Sequence, residues 1–137
     1  MRVRRRIYLA LLPLAALAGC APQRTMQIIP TGGPFAAAGV KITAVMTGSG
    51  NSGRIKFDLP AGVTCEGPWN VVPGGALSNT TGVGGYTRSN VARDTGTAVG
   101  TCGGGVTFQF DFTIDPDTKR GEGMGRDSNG NFYSVSF

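Results

Sequence analysis

Between Val106 and Ile114 every second residue is large and apolar: Val106, Phe108, Phe110, Phe112 and Ile114 alternate with Thr107, Gln109, Asp111 and Thr113. An extended chain points successive side chains to opposite faces, so this spacing buries three phenylalanines on one side and leaves polar groups in water on the other. A helix built from the same residues would scatter them around its axis. The same period of two runs through Val40, Ile42, Ala44 and Met46, through Ile55, Phe57 and Leu59, and through Tyr133, Val135 and Phe137. Turn chemistry separates the runs. Gly48–Gly53 reads as a flexible hairpin loop. Leu59-Pro60-Ala61-Gly62 and Asp115-Pro116-Asp117-Thr118 place proline where a turn wants its fixed φ, and Asn129-Gly130 supplies a positive φ. Val63–Trp69, Thr95–Cys102 and Gly121–Arg126 complete the set of strands. No stretch beyond the first 19 residues has helical apolar spacing.

The pattern predicts an all-β domain over residues 39–137, a small antiparallel barrel (or sandwich) of about seven to eight short strands. Gly121, Gly123 and Gly125 fall on one face of one segment, which lets a strand bend or a neighbour come close; small barrels need such places, so a barrel is the first choice. Phe137 is expected to pair into the sheet. Residues 20–38, rich in Ala, Pro and Gly, read as a flexible tether, with Gln27-Ile28-Ile29 the place for one extra short strand. Asn70–Asn90 is the longest stretch without a pattern, and its Tyr86 and Arg88 are the candidate binding-loop residues.

The N-terminus carries its own signal. Arg2, Arg4, Arg5 and Arg6 precede the apolar run Ile7–Leu17, which is too short to span a bilayer as a permanent helix. Leu17-Ala18-Gly19-Cys20 then resembles the lipobox of bacterial lipoproteins. The resemblance implies a signal peptide over residues 1–19, cleavage before Cys20 and lipidation of Cys20. Ala21 follows where an aspartate would imply retention at the inner membrane, so the resemblance implies sorting to the outer membrane. Two or more acyl chains hold a protein at a membrane without a spanning helix.

Cleavage also changes the charge. The chain has 13 Lys and Arg against 8 Asp and Glu, a formal +5. Removing the four leading arginines leaves nine against eight, and the survivors are scattered. Nucleic acid is thereby excluded, because a phosphate surface needs cations gathered on one face. With Cys20 acylated, Cys65 and Cys102 form an even pair in an oxidising compartment, where a disulfide is the default. Trp69, four residues from Cys65 on the same strand face, is expected to cover that bridge.

Catalytic chemistry has little to work with. There is no histidine, which removes Ser-His-Asp and Cys-His systems and the common zinc sites. No metal and no cofactor is implied. Asp94-Thr95-Gly96-Thr97 resembles the Asp-Thr-Gly signature of aspartic proteases, but Ala92 and Arg93 precede it where that family has apolar residues. A carboxylate-based hydrolase would draw on Asp94, Asp111 and Glu66. Asp127-Ser128-Asn129-Gly130-Asn131 is similar to the start of a calcium loop, without the later glutamate, and a hairpin turn accounts for it. Thr118-Lys119-Arg120-Gly121-Glu122 is similar to the Thr-Lys-Gly-Asp/Glu run of small lysozyme-inhibitor lipoproteins, with Arg120 inserted.

The reading expected from the sequence is a lipid-anchored domain of the outer membrane, facing the periplasm, with a binding or structural role and no catalysis. Its partners are the membrane, through the lipid, and an envelope protein or glycan. The alternatives are a periplasmic inhibitor of lysozyme type and the Asp94 hydrolase.

Overall fold

The computed structural model describes residues 22–76 and 93–137. Eight antiparallel strands follow one another around a closed barrel: β1 (Gln23–Gly32), β2 (Ile42–Ser49), β3 (Ser52–Leu59), β4 (Val63–Ala76), β5 (Arg93–Cys102), β6 (Thr107–Ile114), β7 (Gly121–Asp127) and β8 (Phe132–Ser136). Each strand pairs with the next, and β8 returns to β1, with Gln27 opposite Ser136 and Ile29 opposite Ser134. Phe137 continues the pairing by exchanging backbone hydrogen bonds with Gly121. Closure satisfies every edge, which an open sheet of this size would leave exposed.

The expected tether is corrected here. Residues 23–32 form a full stave of the barrel, with Met26 and Ile28 buried at its centre. A four-residue helix, α1 (Pro34–Ala37), follows it. The domain therefore starts at Gln23 and not at residue 39. The signal peptide, Cys20, Tyr86 and Arg88 lie outside the described residues.

Inward positions fill the barrel. An eight-strand barrel is just wide enough for side chains to meet across it. Here Phe57, Phe108, Phe110 and Tyr133 do so, with the Phe57 and Phe108 rings edge to face at 4.9 Å and Phe110 against Tyr133 at 6.0 Å. Such aromatic pairs contribute about 0.5–1.5 kcal/mol each beyond the area they bury. Large rings are accommodated because glycines stand beside them. A methyl at Gly96 would collide with the Phe112 ring, one at Gly125 with the Phe110 ring, and one at Gly121 with the Phe137 ring. Rings on β6 thus lie over glycines of the two strands that flank it.

Outward positions carry Arg54, Lys56, Glu66, Asp111 and Arg126, all exposed. A membrane-spanning barrel has the opposite arrangement, with an apolar outer band, and placing Lys or Arg at the bilayer midplane costs about 2–4 kcal/mol each. This wall is built for water.

The bridge between Cys65 and Cys102 is present and joins directly opposed residues of β4 and β5, whose Cα atoms are 3.9 Å apart. Trp69 does not cover it. It lies on the same inward face, but four residues along a strand is about 13 Å. Its indole N–H donates to the Thr47 carbonyl at 3.1 Å, and a methyl at Gly53 would run into its ring. The Gly48–Gly53 loop is also shorter than expected, because β2 and β3 pair out to Ser49 and Ser52.

Candidate functional site

The connections divide between two ends of the barrel. One end holds α1, the turns Pro60–Gly62 and Gly103–Gly105, and the β7–β8 turn. The other holds the start of β1, the β2–β3 hairpin, the β6–β7 turn and Phe137. We refer to the second end as the mouth.

Asp127 belongs to the first end. Its backbone leaves β7 for the turn Ser128–Gly130, where Gly130 takes φ 85°. The carboxylate points inward and is fully occupied. It accepts from the backbone N–H groups of Asn129 (2.9 Å) and Asn131 (3.1 Å), from the Asn131 amide (2.9 Å) and from the Tyr133 hydroxyl (2.6 Å). Asn131 in turn accepts the Phe35 backbone N–H, which fixes α1 over the barrel end. The residues that resemble a calcium loop are therefore a hairpin lock whose acceptors face its own chain.

The same contact gives a measurable consequence. Burial, then the hydrogen bond to the Asp127 carboxylate, pushes the Tyr133 phenol well above its ordinary value near 10. A raised value in the folded state means that its contribution is complete below about pH 10 and is lost as pH rises beyond it, where the unfolded phenol ionises first. Tyr133→Phe removes the donor and is expected to cost about 1.5–3 kcal/mol at pH 7, the range for a bond to a charged group. Urea midpoints measured from pH 7 to pH 11 should fall less steeply in the variant. Parallel curves for the two proteins would refute the assignment.

The carboxylates of the hydrolase reading are not brought together. Asp94 is the second residue of β5, lies at the mouth and accepts the Gly74 N–H at 2.9 Å. Asp111 stands on the outside of β6 and accepts from Gln109 at 3.0 Å. Glu66 stands on the outside of β4, 3.4 Å from Arg54. Asp94 also lies within strand β5. Nearby Asp115 has its carboxyl held below the usual range by the backbone N–H groups of Thr118 and Asp117, which it caps in the β6–β7 turn. Among the described residues no three Asp, Glu or Cys gather as a metal site.

The arrangement with most capacity to bind is on the outside of β5–β8. A groove of about 650 Å³ runs there, with Gly123, Gly125 and Phe112 in its floor. β7 carries no inward side chain from Gly121 to Gly125 and lies tight against β6. A methyl at Gly123 would strike the backbone of Asp111 and Phe112. Met124 is 75% exposed on one side of the floor and Phe132 56% exposed on the other, diagonal neighbours across β7 and β8. Around them stand Thr95, Thr97, Gln109, Asp111 and Arg126. The candidate binding residues expected from the sequence, Tyr86 and Arg88, lie outside the described residues, and the sequence did not single out this face. The available signal was Met124, an apolar residue between glycines in an outward register.

Comparison with family models, curated proteins and solved structures finds no match to the chain.

Proposed function

We propose that the chain is a lipid-anchored envelope protein whose barrel is a non-catalytic binding domain, with the outside of β5–β8 as its binding face and an envelope glycan as its ligand. One observation carries the binding face: of the large apolar side chains exposed on the outer wall, Met124 and Phe132 are diagonal neighbours and stand together beside a groove lined by polar groups. Exposed apolar surface rimmed by polar groups marks an interaction site. The rim favours sugar. Hydroxyl, amide, carboxylate and guanidinium groups surround an apolar floor, which matches a sugar ring with its C–H face and its ring of hydroxyls. The aromatic rings packed across the middle of the barrel favour a site on the outer wall over one deep in the interior. The lipid anchor rests on Leu17-Ala18-Gly19-Cys20.

Co-sedimentation of the mature domain with purified cell-wall glycan tests the reading. Phe132→Ser and Met124→Ser are each expected to weaken binding about tenfold, the scale of an anchor side chain at an interface. Both are exposed, so the fold should survive. Capture of a protein from envelope extract, with no glycan bound, would replace the glycan by a protein partner.

A second reading is an inhibitor of lysozyme type. Its support is the exposed Thr118-Lys119-Arg120 turn at the barrel rim, where Lys119 takes φ 60° and its side chain stands in water. Undiminished lysozyme activity at excess protein would end it.

A further inference from the structure

Strand β1 begins at Gln23, three residues after Cys20. That spacing carries an inference about orientation, which rests on the lipid-anchor reading above. The geometry points to a barrel held mouth-down, with the end that carries Gln23 in contact with the headgroups of the bilayer that anchors Cys20.

Three extended residues reach at most about 10 Å. The ten residues of β1, at about 3.3 Å each and tilted as barrel strands are, carry the far end roughly 25 Å further away. Of the two ends, only the mouth can reach the membrane. Fraying of β1 does not lengthen the leash, because its first turn of backbone is fastened. Arg24 donates to the Lys119 carbonyl at 3.2 Å, and its guanidinium lies 5.4 Å above the centre of the Phe137 ring. Gln23 itself is paired with Thr47. Attraction is not the cause, since Arg24, Lys119 and Arg120 are offset at this end by Asp94, Asp115 and Asp117.

The mouth also contains a built-in reporter. It encloses a depression of about 380 Å³ with Met46, Trp69, Val71 and Ile114 at its base. Trp69 is the single tryptophan of the sequence. The glycan-binding groove proposed above lies on the barrel's side, so mouth-down docking leaves it open to the aqueous compartment. The turn at Thr118–Arg120, by contrast, would face headgroups.

The acylated full-length protein in phosphatidylcholine vesicles tests the orientation, with a spin-labelled lipid carrying its quencher at headgroup depth. Trp69 emission is expected to be lost in labelled vesicles and kept in unlabelled ones. Inserting about fifteen Gly and Ser residues between Pro22 and Gln23 lets the barrel stand roughly 23 Å away, by flexible-chain statistics, and should restore emission. A tryptophan moved to the far end, Lys41→Trp in a Trp69→Phe background, should stay bright. Unquenched Trp69 in protein that sediments with the vesicles would overturn the orientation, as would quenching of the far-end probe. Failure of the anchor itself reads differently: labelled palmitate does not enter, and Cys20→Ser sediments as before.

Discussion

A single methyl group at position 123 is expected to cost the barrel about 3 kcal/mol or more, at or above the upper end of what overpacking does in a dense core. Gly123→Ala would set a Cβ against the carbonyl oxygen of Asp111 and the Cα of Phe112. These are backbone atoms of the strand paired with β7, so no rotamer change clears the space; β6 and β7 must separate. Gly96→Ala makes a sharp comparison, because the three atoms nearest its added methyl all belong to the Phe112 ring. Shortening that ring with Phe112→Leu should therefore relieve Gly96→Ala and leave Gly123→Ala as damaging as before. Urea denaturation of the two double-mutant cycles reads this directly. A coupling of about 1 kcal/mol or more is expected for 96 with 112, as for residues in contact, and near zero for 123 with 112. Equal coupling in both cycles would mean that the backbone contact at Gly123 yields easily.

Loss of the disulfide should have an effect of the same size. Cys65 and Cys102 are 37 residues apart in sequence, and the chain-entropy model assigns about 4 kcal/mol to closing such a loop. The position adds to the effect. The bridge fastens the end of the β4–β5 ladder away from the long 77–92 connection, so that pairing is held from the side its own turn does not reach. Cys65→Ala combined with Cys102→Ala is expected to lower the unfolding free energy by about 3–4 kcal/mol, a large part of the 5–15 kcal/mol of an ordinary domain. Reduction of the wild type should reproduce it. A drop below about 1 kcal/mol would show that the unfolded chain already keeps β4 and β5 together.

Much of this architecture was legible residue by residue. β6 follows from its three alternating phenylalanines, the bridge from two cysteines left after Cys20, and the close approach of β7 from three glycines on one face. β1 reads in the sequence only as a short strand at Gln27-Ile28-Ile29, because its inward set is Met26, Ile28 and Pro30 while Ile29 faces water, so hydrophobicity shows no clean alternation. What identifies it is tertiary: β2 and β8 would otherwise have free edges. β4 was cut at Trp69 because Val71 and Val72 give way to Pro73-Gly74-Gly75, yet its backbone pairs with β5 through Val72 opposite Thr95 and, past a bulge, again at Ala76 opposite Arg93. The groove was invisible for a similar reason. It is lined by residues of four strands, from Thr95 to Phe132, which alternation within any one strand does not bring together. Trp69 shows the limit of shared-face arguments: parity gave the correct face, and distance along the strand gave the wrong neighbour.

The seam between β1 and β8 joins residues more than a hundred positions apart, Gln27 with Ser136. Contacts that distant form late, since the intervening chain must first be ordered. Until β8 is delivered, the nascent cylinder stays open along its length, with unpaired amides on β1 and no partner for its own carbonyls. Assembly is thus gated by β8, and a ribosome that has not yet released it holds a cylinder that cannot close.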